Sequence, residues 1–152
     1  MLKSTSMFIR HSLLPTKQTL RLRLAPLHAY MLASLVFTIV ATVLDYIVLR
    51  PDFFAPMWLF LHGFAIFFFY MMWVVAAALF VQLVTRLRMK KSWPYRQAWP
   101  YAVAMTLVPT LLLVTLYHFM PALLWLGLVI TIVYLTVPLF QIPLKQKNSG
   151  QR

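Results

Sequence analysis

The chain contains no cysteine, which excludes disulfides, thiol nucleophiles, iron–sulfur clusters and cysteine-bound zinc. Acid is almost as scarce. Only Asp45 and Asp52 stand against fourteen Lys and Arg. Chemistry that needs two neighbouring carboxylates could rest on that pair alone. Three glycines in 152 residues leave little room for loops that cradle phosphate. Charged residues make up only 11% of the chain, against about 25% in soluble globular proteins. What fills their place is apolar: 62% of residues, with a mean hydropathy of +0.81. That balance excludes both a soluble globular domain and a disordered chain, and the length suits one domain.

The apolar residues fall into four runs: about 29–49, 53–84, 98–117 and 121–140. A membrane helix needs about 20 such residues to cross about 30 Å of hydrocarbon. The second run exceeds this, so it is expected to tilt, kink or project from the membrane. Between the last two runs lie only His118, Phe119 and Met120, a turn that forces antiparallel neighbours. The runs are continuous rather than alternating, which argues for helices and against a membrane β-barrel. The expected fold is all-α, a four-helix transmembrane bundle over 28–143. A basic leader, 1–27, precedes it and a polar tail, 144–152, follows.

Basic residues set the expected orientation. Lys3, Arg10, Lys17, Arg21 and Arg23 precede the first run. Arg86, Arg88, Lys90, Lys91 and Arg96 separate the second from the third. Lys145, Lys147 and Arg152 follow the fourth. Arg50, beside Asp52, is the sole basic residue on the other side. Both termini and the middle loop are therefore expected in the cytoplasm. The first run is expected to be an uncleaved anchor, because it is a full span with no A-x-A site after it. The leader is expected to lie on the inner membrane surface, apolar side chains inward and guanidinium groups at lipid phosphates. The net charge of +12 is read as this topology plus attraction to anionic lipid, with no nucleic acid as partner. Tyr30, Trp58, Trp99, Tyr101 and Tyr117 are placed near the interfaces.

A few polar residues interrupt the runs. Ser34, Thr38, Thr42 and Asp45 share one face of the first helix and read as a packing seam. Gly127 and Thr131 form a similar small-residue face on the fourth. Asp45 is the sharpest single residue, since an intramembrane carboxylate is costly. It is expected to lie level with His62, and two readings stand: a polar clasp between the first two helices, or a proton or cation site. The clasp is favoured, because no further ionisable residue continues inward. His62, His118, Asp45 and Asp52 have no recognised metal-ligand spacing, so no metal and no cofactor is expected. Pro109, between Thr106 and Thr110, predicts a kink whose freed backbone groups those hydroxyls can satisfy. Ser92 and Pro94 predict that the third helix starts before the membrane.

The sequence lacks P-loop, G-x-S-x-G and H-E-x-x-H motifs. The reading is therefore non-enzymatic: an accessory, scaffold or regulatory subunit of a membrane complex. Arg86, Arg88, Lys90, Lys91 and Arg96 are the expected contacts to anionic inner-leaflet lipid or to a membrane-protein partner. The alternative is a small homo-oligomeric transporter or channel using Asp45, His62, Thr42 and Thr38. The stretches Phe8 to Tyr30 and Ser92-Trp93-Pro94-Tyr95-Arg96-Gln97-Ala98-Trp99-Pro100-Tyr101, running on to Met105-Thr106-Leu107-Val108-Pro109-Thr110, carry a resemblance. They resemble an uncharacterised family of small bacterial multispan membrane proteins, often encoded near maltodextrin-uptake genes and similar to the Yip-type superfamily. The resemblance implies a bacterial cytoplasmic membrane and supplies no catalytic residues. Members usually carry a larger extracytoplasmic segment than the Arg50-Pro51-Asp52 found here.

Overall fold

The computed structural model describes residues 2–52, 54–88 and 93–142. Its elements are α1 (Leu2–Ser12), a 3-10 stretch (Lys17–Leu24), α2 (Leu27–Leu49), α3 (Ala55–Arg88), α4 (Tyr95–Phe119), a 3-10 turn (Pro121–Leu123) and α5 (Leu124–Phe140). No strand occurs among the described residues. Four helical segments are long and apolar enough to cross a membrane: α2, α3, α4, and α5 with the turn before it. Within their most apolar stretches only 28–33% of residues are buried inside the protein. The remaining apolar side chains point outward, which lipid tolerates and water does not. The chain is an integral membrane protein built as a four-helix transmembrane bundle.

The helices begin and end for identifiable reasons. Pro26 and Pro94 occupy the N-cap positions of α2 and α4 in extended backbone, a conformation that suits proline but not helix. α4 starts at Tyr95, ahead of the apolar run read from about 98, with Pro94 at the N-cap rather than inside the first turn, while Ser92 lies outside the described residues. At the end of α2, Arg50 takes the left-handed conformation (φ 43°) and its N–H bonds back to the Tyr46 carbonyl at 3.0 Å. That position usually holds glycine, and Pro51 follows to stop the helix. The long second run is one continuous helix through Gly63. At 1.5 Å per residue its 34 residues reach about 50 Å, well beyond the hydrocarbon.

α4 is the hub, packed against α2, α3, α5 and the leader. The run Tyr101–Met105 is fully buried. Tyr101 is therefore not the interfacial anchor expected of it. Its hydroxyl donates to the Leu135 carbonyl of α5 at 3.0 Å, which removes the need to reach water. Tyr70 of α3 fills the centre against Phe37 of α2, ring centroids 4.4 Å apart. Its hydroxyl lies 3.4 Å from Thr106 Oγ1 on α4.

Small residues set the helix spacing. A Cβ built on Gly63 would lie 3.2 Å from Thr42 Oγ1, so the serine–threonine face is a seam between α2 and α3. A Cβ on Gly127 would lie 2.5 Å from Leu113 Cδ2, so α5 approaches α4 at the expected small-residue face. Pro109 sits buried within α4, but the two threonines do not compensate it. Thr106 donates to the carbonyls of Ala102 and Val103, not to that of Met105, which the proline leaves free. The Thr110 hydroxyl is buried without a partner.

The leader folds against the bundle, burying Phe8, Ser12, Thr19 and Leu22 in protein. Tyr134 of α5 donates to the Leu13 carbonyl at 3.1 Å and fastens it further. Met7, Leu13, Leu14 and Leu24 remain outward, free to contact lipid.

Candidate functional site: a carboxylate held by two histidines

Asp45 lies one turn before the end of α2, and His62 lies two turns into α3. The short connection between these helices makes them antiparallel, so the residues are level. His62 Nε2 sits 2.8 Å from Asp45 Oδ2. The clasp read from the sequence has a third member. His118 Nε2 sits 2.7 Å from Asp45 Oδ1. The turn read at 118–120 is shorter than expected, because α4 continues to Phe119 and carries His118 on its last turn. One carboxylate thus joins α2, α3 and α4, with one oxygen serving each ring.

An ionised carboxylate only accepts, so both rings donate from Nε2 and keep Nδ1 for other use. Charge-assisted bonds of this length are among the stronger ones available to side chains. The environment is partly enclosed: side-chain exposure is 14% for Asp45, 31% for His62 and 9% for His118. Trp58, one turn before His62, stacks on its ring at 4.2 Å and 19°. Tyr46 flanks Trp58 at 5.5 Å, and Tyr117 meets His118 edge-on at 5.3 Å. The triad carries one net negative charge with both rings neutral, and none once one ring takes up a proton. It can therefore store a proton or brace three helices.

The other predicted residues fall elsewhere. Thr42 and Thr38 share the buried face of α2 below Asp45, yet neither bonds to it. Thr42 Oγ1 donates to the Thr38 carbonyl at 2.7 Å, Thr38 Oγ1 to the Ser34 carbonyl at 2.9 Å, and Ser34 Oγ to the Tyr30 carbonyl at 2.9 Å. Each hydroxyl hydrogen is spent on its own helix, so the stripe packs rather than relays. Arg50 and Asp52 form no ion pair among the described residues. No group of three or more His, Asp or Glu among the described residues is arranged to hold a metal ion.

No family model, curated protein or solved structure matches the chain. The site therefore has to be read on its own geometry.

The basic residues collect at the opposite end of the bundle, where α2 and α4 begin and α3 and α5 finish. Arg86 is exposed on the last turns of α3, and Arg96 is exposed on the first turn of α4. Arg88 is tied down: its Nη2 donates to the Phe140 carbonyl at 3.1 Å and its guanidinium lies 4.0 Å from the Phe140 ring. Of the expected lipid or partner contacts, Arg86 and Arg96 are thus open and Arg88 is half-spent on the fold. Lys90 and Lys91 lie outside the described residues. Sequence reading placed Arg23 at this end but missed its contact with Trp93. Arg23 of the leader sits 5.0 Å over the ring of buried Trp93, and Trp93 meets Tyr101 edge-on at 5.4 Å.

Proposed function

We propose that the chain is a non-enzymatic subunit of a membrane complex, with accessory, scaffold or regulatory duties. Its basic end faces the cytoplasm and engages anionic lipid and a membrane-protein partner. A bacterial cytoplasmic membrane is part of this proposal, resting on the resemblance above. The observation that carries the reading is the one-ended gathering of guanidinium groups, with Arg10, Arg21, Arg86 and Arg96 all exposed. Such a face attracts anionic surfaces, and positive charge marks the cytoplasmic side. The test is gentle detergent extraction from the native membrane, with mass and composition measured on the intact assembly. A stoichiometric second protein is expected. Charge reversal at Arg86, Arg88, Lys90 and Lys91 should release it, and an unchanged assembly would sink the proposal.

The triad favours a second reading, a small homo-oligomeric transporter or channel in which Asp45 and His62 hold a cation or proton. The self-satisfied hydroxyls below Asp45 weigh against it, since they offer no onward acceptor. In proteoliposomes Asp45→Asn should abolish or reshape pH-dependent flux if this reading holds. Flux with an unaltered pH profile would leave the triad a brace.

A further inference from the structure

We propose that the groove between the leader and the start of α4 binds the phosphate of an anionic phospholipid. The groove is a cavity of about 550 Å³, within the size range of small-ligand sites. Arg23, Arg96, Gln97 and Tyr30 line it, and these side chains supply the donors a phosphate needs. Two guanidinium groups give planar forks suited to bidentate contact with phosphate oxygens. The groove also borders the N-terminus of α4, whose dipole favours an anion. The only acids of the chain, Asp45 and Asp52, lie at the far end of the bundle, so nothing acidic competes for these cations.

One guanidinium is pre-positioned. Arg23 lies over the Trp93 ring, and Trp93 is buried and locked against Tyr101. The ordering cost of a long side chain is therefore partly met before any ligand arrives. The second observation concerns depth. The groove runs along Leu27, the first residue of α2, and Tyr30, one turn into it. By the length and composition of α2, that is where hydrocarbon gives way to headgroups. Leu24 and Leu27 line the same groove and are 69% and 67% exposed. Side chains so apolar beside two arginines suit a ligand with a charged head and an acyl tail. A free anion would gain nothing from them.

This rests on the lipid-facing basic end proposed above, but it names one saturable site rather than a diffuse attraction. The test uses the purified full-length chain in mild detergent. Phosphatidylglycerol or phosphatidylcholine is added, and bound lipid per chain is counted by native mass spectrometry. One phosphatidylglycerol should be retained per chain in preference to phosphatidylcholine. Arg23→Gln and Arg96→Gln should each weaken retention about fivefold, and together about 25-fold, as expected for about 1 kcal/mol per basic residue. Arg96 is exposed, so its single variant reports even if the Arg23 change disturbs the leader. Arg50→Gln removes one guanidinium at the far end of the bundle, as Arg96→Gln does within the groove, and should leave retention unchanged. Equal loss in that control, or equal retention of the two lipids, would overturn the site. Displacement by excess inorganic phosphate would overturn the lipid in favour of a free anion. A reporter fused at residue 152 that reads outside the cell would overturn the orientation alone, because retention is measured without a membrane.

Discussion

At one end of the bundle Asp45 accepts from His62 and His118 and joins three helices through two bonds shorter than 3 Å. At the other end there is no acid to accept anything. There Phe8, Leu22 and Trp93 close the helices with apolar surface, and arginines find carbonyls and aromatic faces instead. The difference follows from composition. With Asp52 exposed beyond the end of α2, only Asp45 is left for a charged clasp, and every basic residue elsewhere must be satisfied by π-faces, carbonyls, water or an external anion. The acid end is therefore self-contained, whereas the basic end keeps exposed cations for something outside the chain.

The comparison can be broken most severely at Asp45. Asp45→Ala strands two imidazoles and removes the link among α2, α3 and α4. It should cost about 3 kcal/mol of global stability, the scale of hydrogen bonds to a charged group. Denaturant titration in detergent micelles would show a lowered midpoint for the whole bundle. A loss under about 1 kcal/mol would mean that the triad braces nothing.

At the opposite end, Phe8→Ala removes a side chain that is 2% exposed. The expected cost is also about 3 kcal/mol, but spent locally, because the leader can detach without the spans. Limited proteolysis should cut within residues 13–26 while the four spans keep their helicity. Simultaneous loss of the spans would show that the two ends are one cooperative unit.

The seams separate the acid end's halves further. Gly127→Ala meets Leu113 Cδ2 at 2.5 Å and Cγ at 2.9 Å, so the Leu113 side chain or the α4–α5 spacing must give, at about 2 kcal/mol. Gly63→Ala meets only Thr42 Oγ1 at 3.2 Å and should cost less than half of that. Thermal melts of both variants in the same detergent would rank them, and the reverse order would refute the packing argument.

The smallest effect is expected at Arg88. Arg88→Ala gives up the bond to the Phe140 carbonyl and the ring contact, at about 1 kcal/mol. Arg88→Lys should recover part of the loss, because an ammonium still reaches a ring but lacks the fork. Paired melts of the two variants check this, and equal losses would assign the whole effect to guanidinium geometry.

Much of the fold was legible before any coordinates. Four apolar runs and a short break before Pro121 are local properties, and each maps onto a helix or a connection. The Asp45–His62 half of the site was legible too, since a short connection makes the adjoining helix ends level. His118 was read as part of a turn, and its helical register was overlooked. A step of seven residues from Leu111 puts it on the face of α4 that turns inward. The burial of Tyr101 and the packing of Phe8, Ser12, Thr19 and Leu22 against the bundle were missed for a different reason. Amphipathic aromatic and basic segments suit a membrane surface and a protein crevice equally well, and composition alone does not choose between them.

The sequence by itself determined that this is a membrane protein with four helical spans. Hydrocarbon demands about 20 apolar residues per crossing and permits no unpaired backbone, and those demands can be checked residue by residue along the chain. Only the tertiary structure decided that Asp45 has two histidines, 17 and 73 residues away, and that Arg23 lies over Trp93. Such partners are brought together by helix packing. Packing depends on where Gly63, Gly127 and the hydroxyl seam let backbones approach, and no single stretch of sequence carries that information.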